Sequence, residues 1–392
     1  MGTSCAGRRE RLKYFDTDGG RAVSTVRDSV LTRGARGLGA LVCLLLALLS
    51  AGWIIRDLTI AQHGADVWWA WLGETPRPRE FTAWATSALD PLLVLGALVA
   101  AVAALRTAVP SSVATGALLS LATATALLRT PLVWMLGAGW LQGLDSGLTA
   151  RARLTALTQL ALAVALIVVS AAGRRPDGPA GHGARGLPEP ASSAYGVVRA
   201  VPHHVAPGAP GRPFKGPAVT VAVLLGAAGL AVICWEIRWW AQLGGDTYGK
   251  GLFGDASVFR ALLQPPVHWQ ALALALLALA AVAAALRRVA WARPAALTAA
   301  SLLSVHGAVA LAFALRTGEL GRFAALPVRA QLEVGTAAFV AAAGLAAVIA
   351  AARPGVPAAA PDADEVLAYG AAPGEARPPH APPPPSTLPP GW

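Results

Sequence analysis

The sequence predicts an all-α integral membrane protein: eight transmembrane helices formed by tandem duplication of a four-helix unit, with parallel repeats. Its composition indicates a membrane protein, because 55% of the 392 residues are hydrophobic and only 14% are charged. Soluble domains carry about a quarter charged residues. Apolar stretches long enough to cross a bilayer recur along the chain, and short motifs of the first half return in the second. These observations exclude a soluble enzyme and an extended disordered protein.

Eight stretches meet the requirement for crossing a bilayer, which is about 20 apolar residues in helical form. They are 37–55, 88–105, 111–128, 154–173, 216–235, 269–286, 294–315 and 334–352. A ninth apolar piece, 130–144, has 15 residues and contains Pro131. It is short for a span, so we expect an interfacial or re-entrant segment there.

The distribution of charge predicts the orientation of the spans. Of the 32 Lys and Arg residues, 20 fall on the side of the bilayer that carries both termini, where the net charge is +10. The connections on the opposite side have a net charge of +1. Cytoplasmic loops collect Lys and Arg, so we expect both termini to be cytoplasmic. With 29 Arg, 3 Lys and no Asn, the codon bias is typical of a bacterium, and the predicted location is its plasma membrane.

The predicted organisation has five parts. About 36 polar residues precede the first span, which argues against a secretory signal. The Pro/Gly-rich linker is expected to be flexible and the Pro-rich tail disordered. The parts are a cytoplasmic N-terminal arm (1–36), a first four-helix unit (37–173), a cytoplasmic linker (174–215), a second four-helix unit (216–352) and a cytoplasmic tail (353–392).

The duplication is predicted from motifs that return after 178 to 187 residues. The first span ends Trp-Ile-Ile-Arg56 and the fifth ends Trp-Glu-Ile-Arg238. The outer loops that follow contain Ala-Gln-His-Gly-Ala-Asp66 and Ala-Gln-Leu-Gly-Gly-Asp246, which match at four of six positions. Four spans per unit is an even number, so both copies face the same way, related by a pseudo-two-fold axis along the membrane normal.

The duplicated outer loops supply the candidate contact residues. They are Arg56, Gln62 and Asp66 in the first copy and Arg238, Gln242 and Asp246 in the second. Two interpretations stay open. Each Asp caps a short helix or closes a turn, or the residues converge about the axis on a ligand or partner.

A candidate intramembrane polar site is His306, the one ionisable residue near the middle of a predicted span. Ionisable groups at this depth usually mark transport pathways or proton relays. A proton role requires a carboxylate at similar depth, and the nearest candidates in sequence lie near span ends. We therefore favour a hydrogen bond from His306 to the backbone of a neighbouring helix.

The sequence contains no pattern that indicates catalysis, a cofactor or a metal site. The motifs of nucleophilic hydrolases, zinc proteases and P-loops are absent. The three Cys have no ligand spacing. The cations flank apolar runs instead of forming a basic stripe, which argues against nucleic acid. The expected partners are the lipid bilayer and a protein that contacts the outer loops or the Pro-rich tail.

Two functions remain as hypotheses. The first is a non-enzymatic, partner-binding or structural component of a bacterial cell-envelope process. The alternative is a small-molecule transporter or exporter with its site on the pseudo-two-fold axis between the repeats. The scarcity of intramembrane charge favours the first.

Overall fold

The computed structural model describes residues 29–74, 83–106, 109–141, 143–176 and 213–353. The predicted N-terminal arm, linker and Pro-rich tail lie mostly outside these residues. The described chain is helical apart from one short antiparallel pair of strands, β1 (Ser29–Leu31) with β2 (Arg174–Pro176).

The helices follow the predicted spans closely. They are α1 (Arg33–Ile60), α2 (Gly64–Trp71), α3 (Leu89–Leu105), α4 (Ser111–Arg129), α5 (Leu132–Met135), α6 (Ser146–Ala172), α7 (Lys215–Phe253), α8 (Val267–Leu286), α9 (Ala292–Arg316) and α10 (Val328–Ala352). Two 3₁₀ helices, Gly139–Leu141 and Leu320–Ala325, lie in the connections before α6 and α10.

Seven helices of the described chain are long and apolar enough to cross a membrane, which fits a multi-pass membrane protein. The remaining predicted span corresponds to α3, which has 17 residues and is therefore about 25 Å long. The ninth apolar piece does not form a further long helix. After α4 the chain turns at Pro131 into the single turn of α5, and Leu132 and Met135 are buried.

The helices divide into a first unit, α1–α6, and a second unit, α7–α10. In the first unit α1 packs against α3 and α6, and α4 packs against the same two helices. In the second unit α7 packs against α8 and α10, and so does α9. One cross-helix hydrogen bond occurs in both units at 3.1 Å: Trp53 Nε1 donates to Thr155, and Trp235 Nε1 donates to Thr336.

Both units also interrupt the first helix at the same place. In the first unit α1 ends at Ile60, and α2 begins at Gly64. In the second unit α7 breaks at Gly244, whose φ of 74° lies in the left-handed region that favours glycine. The two glycines are equivalent in the duplicated loop motif.

The two units meet along α4 and α9. A Cβ atom at Gly116 would lie 2.7 Å from Trp291 Cβ, so only glycine permits this approach. Trp269 Nε1 donates to the Leu127 carbonyl at 2.7 Å. At the predicted outer face, the connection before α3 and the one before α8 are joined by two backbone hydrogen bonds, at 2.9 and 2.8 Å.

Candidate functional site

The candidate residues of the first outer loop are engaged within their own unit. Arg56 Nη1 donates to Asp57 and to the Ala83 carbonyl, both at 2.8 Å. The Asp66 carboxylate accepts from the backbone N–H of His63 at 2.8 Å, at the start of α2. This is the contact that the capping interpretation describes. Gln62 is exposed beside it.

The equivalent residues of the second copy lie on the outer end of α7. Arg238, Gln242 and Asp246 are all exposed, and the Arg238 guanidinium stands 5.5 Å from the Trp235 ring. The contacts of Arg56 and Asp66 stay in the first unit and that of Arg238 stays in the second. None of these three residues bridges the predicted axis.

A buried polar network holds the junction between the units, and no motif in the sequence indicated it. Asp57 is fully buried and accepts from Arg56, from the backbone of Ala85, and from the N–H and hydroxyl of Thr86 at 2.8 and 2.7 Å. Both carboxylate oxygens of Asp57 therefore accept hydrogen bonds, which hold the connection before α3 against the end of α1.

A second buried ion pair extends this network to the other unit. Arg129, at the end of α4, pairs with Asp90 of α3, and both side chains are at most 2% exposed. The same guanidinium donates to the Leu263 carbonyl in the connection before α8. Arg129 thus fastens the first unit to the second.

A second arginine makes the reciprocal contact. Arg316 has, in the predicted repeat, the place of Arg129; it lies at the end of α9 and donates to Glu74 of the first unit at 2.9 Å. Its guanidinium also lies 4.6 Å from the Trp69 ring. Each unit therefore contacts a connection of the other through an arginine at a helix end, and of these two arginines Arg129 is buried.

A cavity lined by ionisable side chains lies in the second unit, among α7, α8, α9 and α10. Its volume is about 420 Å³, within the range of small-molecule sites. Four ionisable side chains line it: Glu236, His268, His306 and Glu333. The remaining lining is mainly apolar and includes two indole rings, those of Trp235 and Trp239.

Glu236 is the buried carboxylate of this cavity. One of its oxygens lies 2.9 Å from His268 Nδ1 and accepts from the Tyr248 hydroxyl at 3.0 Å. The phenol ring stacks on the imidazole, with centroids 4.4 Å apart. A Cβ atom at Gly251 would lie 2.3 Å from the imidazole, so this glycine makes the space in which His268 sits.

The opposite wall carries the histidine that the sequence singled out. His306 Nδ1 lies 3.4 Å from Gln270 Nε2 of α8, so His306 contacts a neighbouring helix through a side chain. Glu333, near the start of α10, is half-buried and accepts from Arg329 at 2.9 Å. The fold thus brings His306 into one cavity with Glu236 and Glu333, although both carboxylates lie near the ends of their predicted spans.

A difference between the copies would have been the signal for this site. The motif of the first copy has Ile54 where the second copy has Glu236. A carboxylate at a position where the matching motif has an apolar residue marks a place where the predicted copies differ in chemistry. His268, by contrast, gave no signal, because its position depends on how the connection before α8 folds.

Among the described residues, no three His, Cys, Asp or Glu side chains are grouped closely enough to hold a metal ion. Between the units, a second cavity of about 220 Å³ is lined almost wholly by apolar groups of α3, α4 and α9.

Comparison with known protein families, with curated proteins and with solved structures gives no match.

Proposed function

We propose that the chain crosses the plasma membrane of a bacterium eight times, as two tandem four-helix units with both termini in the cytoplasm. The span that needs most support is α3. It packs between α1 and α4, yet Leu95, Val99 and Val102 are exposed on it. Exposed apolar side chains on a packed helix fit contact with lipid. The matched Trp–Thr hydrogen bonds and reciprocal arginines support the duplication.

Cysteine labelling on intact cells tests this topology. In a background with Cys5, Cys43 and Cys234 replaced by Ala, a membrane-impermeant maleimide should label Gln62→Cys. It should label Arg106→Cys only after the cells are opened, because α3 places that residue inside. Labelling of both cysteines on intact cells would mean that α3 does not cross.

We further propose that the protein is a small-molecule transporter whose solute site is the cavity of the second unit. The observation that carries this proposal is the grouping of Glu236, His268, His306 and Glu333 around a cavity of about 420 Å³ among four apolar helices. Ionisable groups inside a membrane protein are functional candidates by default.

The energetics argue against a purely structural role for this cavity. Taking a charged group out of water costs several kcal/mol, and an unfilled cavity forgoes packing contacts as well. At the junction the cost for Asp57 is offset by four hydrogen-bond donors, of which the Ala85 N–H is shared between both carboxylate oxygens. Glu236 has fewer protein partners and faces open volume, which suits a group that completes its contacts with a solute.

Reconstitution with a mixture of solutes tests the transport proposal. Proteoliposomes are incubated with a cell extract of small metabolites, and the vesicle contents are analysed by mass spectrometry. We expect at least one solute to accumulate with the parent protein and not with Ala310→Trp, which fills the cavity wall. Ala308→Trp, an exposed position of α9 outside the lining, is the matched control. Transport equal to that of empty liposomes would refute the proposal.

The outer end of α7 favours a second function, partner binding in a cell-envelope process. Residues 240–247 are exposed without interruption and carry Gln242 and Asp246. A photo-crosslinking amino acid at Leu243 should capture one defined envelope protein in living cells, and Gln242→Ala should abolish the capture. Unchanged capture by Gln242→Ala would remove this candidate.

A further inference from the structure

The cavity in the second unit is lined by carboxylates and by no base stronger than histidine. Among the described residues that line it there are two carboxylates and two histidines but no Lys or Arg. Glu333 is paired with Arg329 at the half-exposed edge, where both side chains are more than a third exposed. That pair leaves Glu236 as the carboxylate that determines the electrostatic potential.

Two side chains contact the Glu236 carboxylate, and neither is a Lys or an Arg. They are a phenol, Tyr248, at 3.0 Å and an imidazole, His268, at 2.9 Å. The carboxylate is only 7% exposed, so water screens it weakly and its attraction for a cation is strong.

The indole rings of the lining also favour a positively charged ligand. Indole faces attract cations, and both rings already do so on this protein. Arg238 stands 5.5 Å from the Trp235 ring, and Arg329 stands 4.5 Å from the Trp239 ring. With Val232 and Val340, the indoles also offer apolar surface to the uncharged part of a solute.

From this placement we infer that the cavity selects small organic cations. The ammonium group of the ligand lies beside Glu236, and its apolar part contacts Trp235 and Trp239. The inference rests on the proposed solute site and specifies the class of solute. A carboxylate or sulfonate of the same size is excluded by repulsion from Glu236.

The test measures the charge preference of the cavity directly. In the background without Cys5, Cys43 and Cys234, a cysteine is placed on the wall as Ala337→Cys. Its reaction at pH 8 is timed with three methanethiosulfonates: the trimethylammonium-ethyl, the methyl and the sulfonatoethyl reagents. Each rate is divided by the rate of the same reagent with free cysteine.

We expect the cationic reagent to exceed the anionic one by about tenfold or more, the ratio that a difference of about 1.4 kcal/mol produces. Glu236→Gln should abolish most of this ratio, whereas Glu319→Gln, outside the lining, should leave it unchanged. Benzyltrimethylammonium should protect the thiol, and benzenesulfonate should not.

The outcomes separate the two proposals. If the uncharged methyl reagent reacts but the charged reagents show no cation preference, the inference about solute class is wrong and the solute site stands. If the methyl reagent does not react either, the cavity is closed to solutes, and the transport proposal fails with the inference. If Glu236→Gln does not fold, two measurements on the protein with Glu236 intact decide whether the cavity prefers cations. They are the ratio of the cationic to the anionic reaction rate and the protection of the thiol by benzyltrimethylammonium.

Discussion

Replacing Arg129 by Met should destabilise the protein severely, because it leaves a buried charge without its partner. The Arg129 guanidinium pairs with Asp90 and donates to the Leu263 carbonyl, and neither charged side chain is more than 2% exposed. After the change, Asp90 keeps only the N–H and hydroxyl of Ser87, at 2.7 and 3.0 Å. Breaking a buried pair in this way costs about 3–5 kcal/mol.

The double variant identifies the pair as the cause. Asp90→Leu alone leaves the buried charge of Arg129 without its carboxylate and should lower the free energy of unfolding by a similar amount. Arg129→Met with Asp90→Leu removes both charges and keeps apolar volume. We expect its loss to be smaller than the sum of the single losses by more than about 2 kcal/mol, since residues in contact are not additive.

The assay is unfolding of the purified protein in mixed micelles by increasing SDS, followed by the fluorescence of its 13 Trp residues. The predicted repeat supplies the control, Arg316→Met. This arginine occupies the equivalent position but pairs with Glu74 where the side chains are 55% and 33% exposed. Exposed pairs contribute at most about 1 kcal/mol. Equal losses for Arg129→Met and Arg316→Met, or additivity in the double variant, would refute the reasoning.

Two glycine predictions use the same unfolding titration. Gly251→Ala places a Cβ atom 2.3 Å from the His268 ring and should cost about 1–3 kcal/mol through overpacking, whereas Gly249→Ala meets open space and should lose nothing. Gly307→Ala brings a Cβ atom to 2.5 Å from a backbone nitrogen of α10 and should destabilise the α9–α10 contact, whereas Gly335→Ala has free space and should stabilise α10 by about 0.5–1 kcal/mol. Equal responses within either pair would contradict these predictions.

The positions of the helices could be predicted from hydropathy, and their ends could not. The first predicted span covers 37–55, whereas α1 covers Arg33–Ile60. Lipid selects the apolar part of a helix, but backbone hydrogen bonding continues through polar residues such as Arg56 and Asp57. The same reason explains why α7 continues to Leu243, eight residues beyond the predicted end of the fifth span, before it breaks at Gly244.

The polar sites were hidden for a different reason. Asp90, Arg129 and Glu236 all lie near span ends, where charged residues are ordinarily in contact with water or headgroups. They are buried because the connections before α3 and α8 fold inward, with Leu262 and Leu263 fully buried. That path depends on backbone hydrogen bonds between distant connections, and no local pattern in the sequence encodes it.

The two units show how one helical framework supports two uses of buried charge. In the first unit the carboxylates Asp57 and Asp90 are surrounded by donors and an arginine, so they leave no capacity for a ligand and can only fasten the junction. In the second unit the place of Ile54 is taken by Glu236, which has two protein partners and an adjoining cavity. A saturated charge stabilises one arrangement, whereas an incompletely partnered charge gains by binding. If the proposed solute site is correct, a change that supplies Glu236 with a further internal donor should stabilise the second unit and at the same time abolish solute binding.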